Sequence, residues 1–466
     1  MSWKTIGQAM KSKDMQQRVL IVLGLIVVYR MLSHIPVPLA EPTQLKQLIN
    51  NLFSSQQLLG FFNLLSGGAL ASLSIMLMGL GPFINASIIM QLLTKAFPKL
   101  EELQQDGEVG RRKIAQWTRI IALPLAILQS IGIILLIRQT ASSQLGIDIT
   151  ANTNLFQWVL MVSALAGGSI MLMWIGELMT EQGIGNGISL LIFAGIVSQL
   201  PKTGQTLAAT ITGSDAKLSV FGWFTLPVSG KGLMVSGAIA LGALIVTYLV
   251  VKLNEAQRVI NVSYAKRVQG NRAYGGVGTI LPIKLITAGV IPIIFAVAFL
   301  SVPQFLGELI KNNPTPWVAQ LGQNLTVWFA QPGSQQQINA TSPINTYVYP
   351  AVYFLLVFAF TYFYTSVVFN AKEISENLQK QGGFIDNIRP GKQTEAYLKK
   401  VVSRLNLFGA TSLGLLALLP LFVERLLGTS QLTIGGTGLL IVVSVALETL
   451  RQLESRALMV TYDQDY

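Results

Sequence analysis

The stretch LLSGGALASLSIMLMGLGP, residues 64–82, decides the fold, because it is apolar enough to enter a membrane yet carries four glycines and ends in proline. The apolar run continues to about residue 93, too long for one helix. Its first part, residues 64–78 opened by Leu64, would make roughly 22 Å of helix, short of a hydrocarbon core of roughly 30 Å. The chain must therefore dip in and turn. Gly79 and Gly81 let the backbone break, and Pro82 suits a first helical turn, where no N–H partner is required. Broken backbone at membrane depth is tolerated only where protein or a watery cavity receives the freed polar groups, so the stretch predicts a cavity. Close helix packing would account for Gly67 and Gly68, but not for Pro82 or the excess length.

The rest of the composition agrees. The 466 residues are 51% hydrophobic and 12% charged, with a mean hydropathy of +0.54, the profile of a polytopic membrane protein. Ten apolar spans are expected, near 19–37, 64–93, 114–137, 155–176, 187–200, 233–252, 281–305, 346–370, 405–423 and 432–450. Counting the run at 64–93 as one crossing keeps most of the 33 Lys and Arg on the side of the N-terminus, as the positive-inside tendency requires. The first span contains Arg30 and no small-residue cleavage site, so it reads as retained, with Arg30 snorkelling to headgroups. Five spans precede the polar region around 201–231 and five follow it. An odd number per half makes the halves, 1–231 and 232–466, inverted relative to each other.

No cysteine is present and His34 is the single histidine, which excludes thiolate metal sites, cysteine nucleophiles and most imidazole chemistry. No HExxH, paired intramembrane aspartates or Ser/His pairing occurs, so no catalytic residue, metal or cofactor is expected. Span interiors nearly empty of Asp, Glu and Lys argue against an ion-coupled carrier of small solutes, the competing class. What the spans offer is branched aliphatic residues beside breakers: Ile84 after Pro82, Ile188 and Ile192 after GIGNG, Ile293 and Ile294 after Pro292, and Ile441 after GGTG. Converging, these would form an apolar collar that excludes hydrated ions yet yields to a passing chain.

Two large cytoplasmic loops, about 253–281 and 371–404, combine clustered cations with glycine turns, and the second carries a helix-like KEISENLQKQ. Their Lys and Arg could grip phosphates of RNA, which makes a ribosome a candidate partner.

The strings YRMLSHIPVP, GPFINASIIMQLL, GEVGRRKIAQWTRI, EQGIGNGISLLIFAGI, NVSYAKRVQG, LPIK with AGVIPIIFA, and ENLQKQGGFI with IRPGKQTEAYL closely resemble those of the SecY family, channel subunits of the general protein translocase. The resemblance runs from the first span to the last. It implies an all-α polytopic membrane protein, with ten transmembrane helices in two inverted five-helix halves around a central pore. The broken second helix, about 64–78, would be a plug hinged on Gly67, Gly68, Gly79, Gly81 and Pro82. Leu80, Ile84, Ile192, Ile294 and Ile441 would form the pore ring with Ile188 nearby, and Ile286, Val290 and Pro292 would belong to a lateral gate. Lys266, Arg267, Arg272 and Arg389 would contact a ribosome or the SecA motor. SecE and SecG small subunits, signal-sequence-bearing polypeptides and the bilayer of the cytoplasmic membrane complete the implied partners, with both termini cytoplasmic. An accessory member of the family with a restricted substrate set fits the same motifs. The chain departs from the pattern at Ile286, where an Asn is common, at Ala371 for a proline, and at Asp386 and Asn387 for Pro-Gly.

Overall fold

The computed structural model describes residues 12–37, 66–69, 73–145, 153–212, 218–220, 224–226, 230–264, 267–269, 272–274, 278–330, 345–427 and 432–464. Helix α1 (Lys13–Leu32) leads to turns at 66–69 and 73–80, from which α2 (Gly81–Ala96) starts with proline in its first turn. Pro98 then ends α2 at Phe97 and opens α3 (Pro98–Gln105). Next come α4 (Gly107–Leu145), α5 (Leu155–Glu181), α6 (Gly187–Val197) and α7 (Leu200–Thr212), and the hairpin of β1 (Leu218–Val220) and β2 (Phe224–Leu226). The second half begins with α8 (Gly230–Glu255). The strands β3 (Gln257–Tyr264), β4 (Arg267–Gln269), β5 (Arg272–Tyr274) and β6 (Gly278–Lys284) follow, then α9 (Ile291–Ile310) and α10 (Pro316–Trp328). The chain closes with α11 (Asn345–Val368), α12 (Ala371–Lys380), β7 (Gly383–Ile385), α13 (Lys392–Leu427) and α14 (Leu432–Gln464).

Helices stand at all ten expected positions. Among the described residues, α1, α4, α5, α8, α9, α11 and α13 are each long and apolar enough to cross a membrane. Their outward faces expose large apolar side chains such as Leu20, Trp174, Leu244 and Leu415, which only hydrocarbon would solvate without cost. The chain is thus a multi-pass membrane protein. Helix α4 packs on α2 and α5, and α5 on α6; in the second half α11 packs on α9 and α13, and α14 on α8 and α13. The two sets meet where α2 touches α9 and where α6 touches α14.

Three expectations are corrected. The plug is a run of turns and not a half-helix: Gly67, Gly68, Leu73 and Gly79 all take positive φ, a conformation that cannot continue a right-handed helix. Leu64 and residues 70–72 lie outside the described residues. The turns are tied to the end of α1 by a bridge between Pro36 and Ser74, with Val37 N–H donating to Leu73 O and Ile75 N–H to Ile35 O. The seventh span begins ten residues later than its apolar run, because residues 278–284 pair with β3 and the helix starts only at Ile291. Pro282 fits there because β6 is an edge strand. Third, Arg30 turns inward, as described below.

The two long polar loops, about 253–281 and 371–404, are joined. They build one three-stranded sheet in the order β6-β3-β7, with Val262 opposite Ile385. One face covers a small core of its own, in which Ile260, Val262 and Ile283 meet Ala371, Leu398 and Val402 from α12 and α13. The departures from the family pattern are absorbed here. Asn387 takes the left-handed conformation (φ 62°) that a glycine would, and Asp386 accepts a hydrogen bond from Ser263 Oγ at 3.0 Å. Ala371 opens α12 behind Asn370, whose side chain caps the Glu373 N–H. Leu398, at 0% exposure, is the keystone of this core. Leu398→Ala is expected to cost about 2–5 kcal/mol locally, read as faster amide hydrogen exchange across 257–264 and 278–284 with the transmembrane helices unaffected.

Candidate functional site: a sealed apolar centre with a latched plug

Four of the five expected collar residues follow a break; Ile441 does not, because GGTG is helical and α14 runs through it without interruption. Pro82 starts α2 so that Ile84 enters on its first turn, and Leu80 is its N-cap. The GIGNG loop works similarly. Gly183 takes φ 68°, Asn186 Oδ1 accepts from Ile188 N–H and Ser189 N–H, and α6 then carries Ile188 and Ile192 inward. Gly187 is compulsory there, since a Cβ would fall 1.9 Å from Gly176 O. Val290 caps α9, Pro292 lies in its first turn, and Ile294 follows. Leu80, Ile84, Ile192, Ile294 and Ile441 are all 5% exposed or less and lie in one contiguous apolar cluster, against which Ile188 packs. That cluster also contains Ala69 and Met76 from the plug turns. Residues from α2, α6, α9, α14 and the plug therefore close the centre of the molecule without a charged group among them.

The broken backbone is received by protein. Ser169 Oγ on α5 donates to Gly79 O at 3.0 Å, both buried. Arg30 Nη1 on α1 donates to Gly67 O at 2.6 Å, and Ser198 Oγ reaches the same carbonyl at 3.5 Å. Arg30 thus hydrogen-bonds the plug and does not snorkel to headgroups. Two glycines make the approach possible. A Cβ on Gly168 would lie 2.0 Å from Ile75 O, and one on Gly67 2.1 Å from Tyr29 Oη and 3.0 Å from Gly195 Cα. A Cβ on Gly68 would meet open space, so Gly68 contributes its φ of 91°, and Gly81 is the first residue of α2. Sequence reading missed Tyr29, Met76 and Ser169, and misread Arg30; a cation inside an apolar run was the one available signal.

The seam between α2 and α9 is where the two sets of helices meet on one side. On its other flank α9 is fastened to α11 by edge-to-face aromatic contacts of Phe295 with Phe360 (6.0 Å) and Tyr364 (6.3 Å). Val290 and Pro292 are buried at the start of α9. Ile286 lies in the turn before the helix and lines a small cavity with Val250, Leu253, Leu413, Leu440 and Ser444, on the side of α8, α13 and α14.

The cytoplasmic cations are placed unevenly. Arg389 is exposed at the turn before α13, its carbonyl held by Thr394 Oγ1 at 3.0 Å. Arg267 and Arg272 belong to the paired strands β4 and β5 at the tip of the β3–β6 hairpin, with Gln269 opposite Arg272. Lys266 lies outside the described residues. At the base of the same hairpin, burial and the neighbouring Arg451 hold the Lys284 ammonium below its ordinary pKa, partly offset by Glu448. Among the described residues no cluster of His, Asp and Glu suited to a metal occurs.

The latch generates a prediction. Gly168→Val drives a side chain into the Ile75 carbonyl, and Ser169→Ala removes the donor to Gly79; the latter is expected to cost about 1–3 kcal/mol of plug ordering. Both should raise hydrogen exchange at 73–80 while leaving α4 and α5 protected; unchanged exchange at 73–80 in both variants would refute the latch.

The comparisons with known proteins agree with this geometry. The SecY family model matches residues 74–450. The protein translocase subunits SecY of Mycobacterium tuberculosis and of Streptomyces galbus are each 37% identical to the chain, over 98% of both sequences. Among solved structures, one described as the structure of a protein conducting channel matches with a TM-score of 0.59 at 20% identity, covering 94% of this chain and 91% of the other. The Sec61 channel in a canine ribosome-channel complex matches with a TM-score of 0.54 at 19% identity, covering 93% and 90%. The match to the family along most of its length and the relatives' identity together establish that the chain belongs to the SecY family.

Proposed function

We propose that this chain is a passive protein-conducting channel that passes unfolded secretory polypeptides across the membrane and releases hydrophobic segments sideways into lipid. The observation that carries the reading is the meeting of Leu80, Ile84, Ile192, Ile294 and Ile441 in one buried apolar cluster, with the plug residue Met76 packed into it. Such a centre offers no site for a bound ion or polar solute, but a collar of branched side chains can fit around a polypeptide of any sequence. The two halves are 1–231 and 232–466, supported by a helix at each of five expected span positions per half and by the packing of helices within each set. Helices α2 and α9 form the lateral gate, with Val290 and Pro292 at its cytoplasmic end; Ile286 acts on it from behind, through the cavity it shares with α13 and α14. The turns at 66–69 and 73–80 are the plug, pivoting on Gly67, Gly68, Gly79, Gly81 and Pro82.

Energy comes from partners, because the chain contains no phosphate-binding GxxxxGK[ST] loop. Arg389, in the turn between β7 and α13, and Arg267 and Arg272 of the β4–β5 hairpin would meet a ribosome or the SecA motor, together with Lys266 of the same loop. SecE and SecG complete the complex. The protein resides in the cytoplasmic membrane with both termini inside, which leaves the cation-rich sheet on the side of synthesis.

The absence of native cysteine makes the test direct. Ile192→Cys and Ile294→Cys should each crosslink to a single cysteine in a secretory precursor halted midway. Leu355→Cys on the lipid-exposed face of α11 (63% exposed) is the off-path control; Val357 is unsuitable, being buried in the central cluster. Crosslinks equal at all three positions, or absent from both isoleucines with an engaged precursor, would sink the reading. Resting closure gives a second test. Arg30→Gln loses a charge-assisted hydrogen bond of about 1.5–3 kcal/mol, so ion leakage through reconstituted channels should rise on the order of ten-fold or more; unchanged leakage would refute the latch.

A further inference from the structure

A second feature lies away from the pore. A cavity of about 400 Å³ opens where α13 leaves the cytoplasmic sheet, between Arg258 of β3, Leu285 after β6, and Tyr397, Lys400, Arg404 and Phe408 of α13. This volume falls in the ligand-sized range of roughly 300–1,000 Å³. Its polar rim holds three cations. Among the described residues no carboxylate pairs with any of them; the nearest helical ion pair, Glu395 with Lys399, leaves Lys400 out. Its floor is apolar, and the adjacent Leu407 and Phe408 are 54% and 61% exposed.

The order along α13 gives the level. Residues 392–404 carry four cations, Lys392, Lys399, Lys400 and Arg404, whereas from Leu405 onward the helix is predominantly apolar to Val423. Lys400 to Phe408 is about 12 Å of helix, roughly the distance from the phosphate plane of a leaflet into its acyl chains. Cations above, an aromatic below and an open cavity between them match one molecule that carries an anion joined to hydrocarbon.

We propose that this cavity is a binding site for an anionic phospholipid of the cytoplasmic leaflet, its phosphate held by Arg258, Lys400 and Arg404 and an acyl chain laid along Phe408. Arg supplies a planar fork for phosphate oxygens and Lys a point charge. Cytoplasmic-leaflet lipids are drawn to such clusters. Because Arg258 begins β3 and Arg404 belongs to α13, a bound lipid would bridge the two loops that make the cytoplasmic sheet, and so brace it against the membrane.

The test uses the full chain, both alone and as the complex purified from membranes, in phosphatidylcholine vesicles carrying a minor fraction of photoactivatable phosphatidylglycerol. Labelling should map to residues 397–408, and a photoactivatable phosphatidylcholine should label there far less. Arg258→Gln, Lys400→Gln and Arg404→Gln should each reduce labelling on the order of five-fold, and Arg404→Lys should retain most of it. An unchanged melting temperature separates lost binding from lost fold. Displacement of the label by inorganic phosphate alone would reduce the site to an anion pocket and overturn the lipid assignment. Equal labelling by phosphatidylcholine, no loss in any Gln variant, or labelling seen in the isolated chain but absent from the purified complex would overturn it too. Loss of ribosome binding in the Gln variants with lipid labelling intact would assign the cations to RNA instead.

Discussion

The structure depends on one constraint: a backbone that breaks inside a membrane must have its amide groups hydrogen-bonded by protein. An unsatisfied carbonyl in hydrocarbon costs several kcal/mol, and the plug turns free several. Ser169 answers Gly79, and Arg30 answers Gly67. Around these two bonds the neighbouring residues are fixed. Gly168 must lack a side chain so that the Ile75 carbonyl can come close, and Gly67 and Gly195 must touch through their α-carbons. The collar inherits this order, because Leu80 and Ile84 follow directly from the break that the two bonds hold in place.

The same arrangement sets the terms of gating. The turns at 66–69 and 73–80 are held by the Arg30 and Ser169 bonds, each worth only about 1–3 kcal/mol, by the bridge of Pro36 and Ser74 with its two backbone hydrogen bonds, and by the packing of Ala69 and Met76 in the apolar cluster. On the proposed reading, such an arrangement is stable yet within reach of the binding energy of an apolar segment entering between α2 and α9. Aromatic contacts fasten α9 to α11 in the second half, while Phe305 of α9 also packs against Ile133 and Leu136 of α4 across the seam. The seam separates two sets of helices, each of which is packed within itself.

Much of this was legible in the sequence, and for identifiable reasons. A helix of about 20 apolar residues is a strong signal, so helices stand where all ten spans were read. Pro82, Pro292 and the GIGNG loop announce their breaks through local chemistry that tertiary contacts do not override. The half-helix at 64–78 was illegible because apolar composition fits turn and helix equally; Leu73 at φ 43° is imposed by its bridge to the end of α1, a contact with no local signature. Likewise LPIK looked like the start of a span until its pairing with β3, more than twenty residues earlier, claimed it for a strand. Arg30 looked solvated because sequence shows a charge and not its partner. Ser169 was one small residue among many in α5.

The cytoplasmic sheet follows a related logic. Two loops from different parts of the second half are each too short and too polar to bury a core alone, and three strands are about the minimum for an independently stable sheet. Joined, they enclose Leu398, Val262 and Ile385 and turn two flexible cation-rich segments into one platform. Its strands run directly into the membrane helices, β3 from α8 and β6 toward α9, while α13 passes from the core of the sheet into the bilayer without interruption. A force applied at Arg389 or at the β4–β5 tip is thereby delivered to α9 and α13 as a displacement of packed elements, because a closely packed core transmits strain where a loop would absorb it. The sheet, α9 and α13 thus share one continuous piece of folded structure.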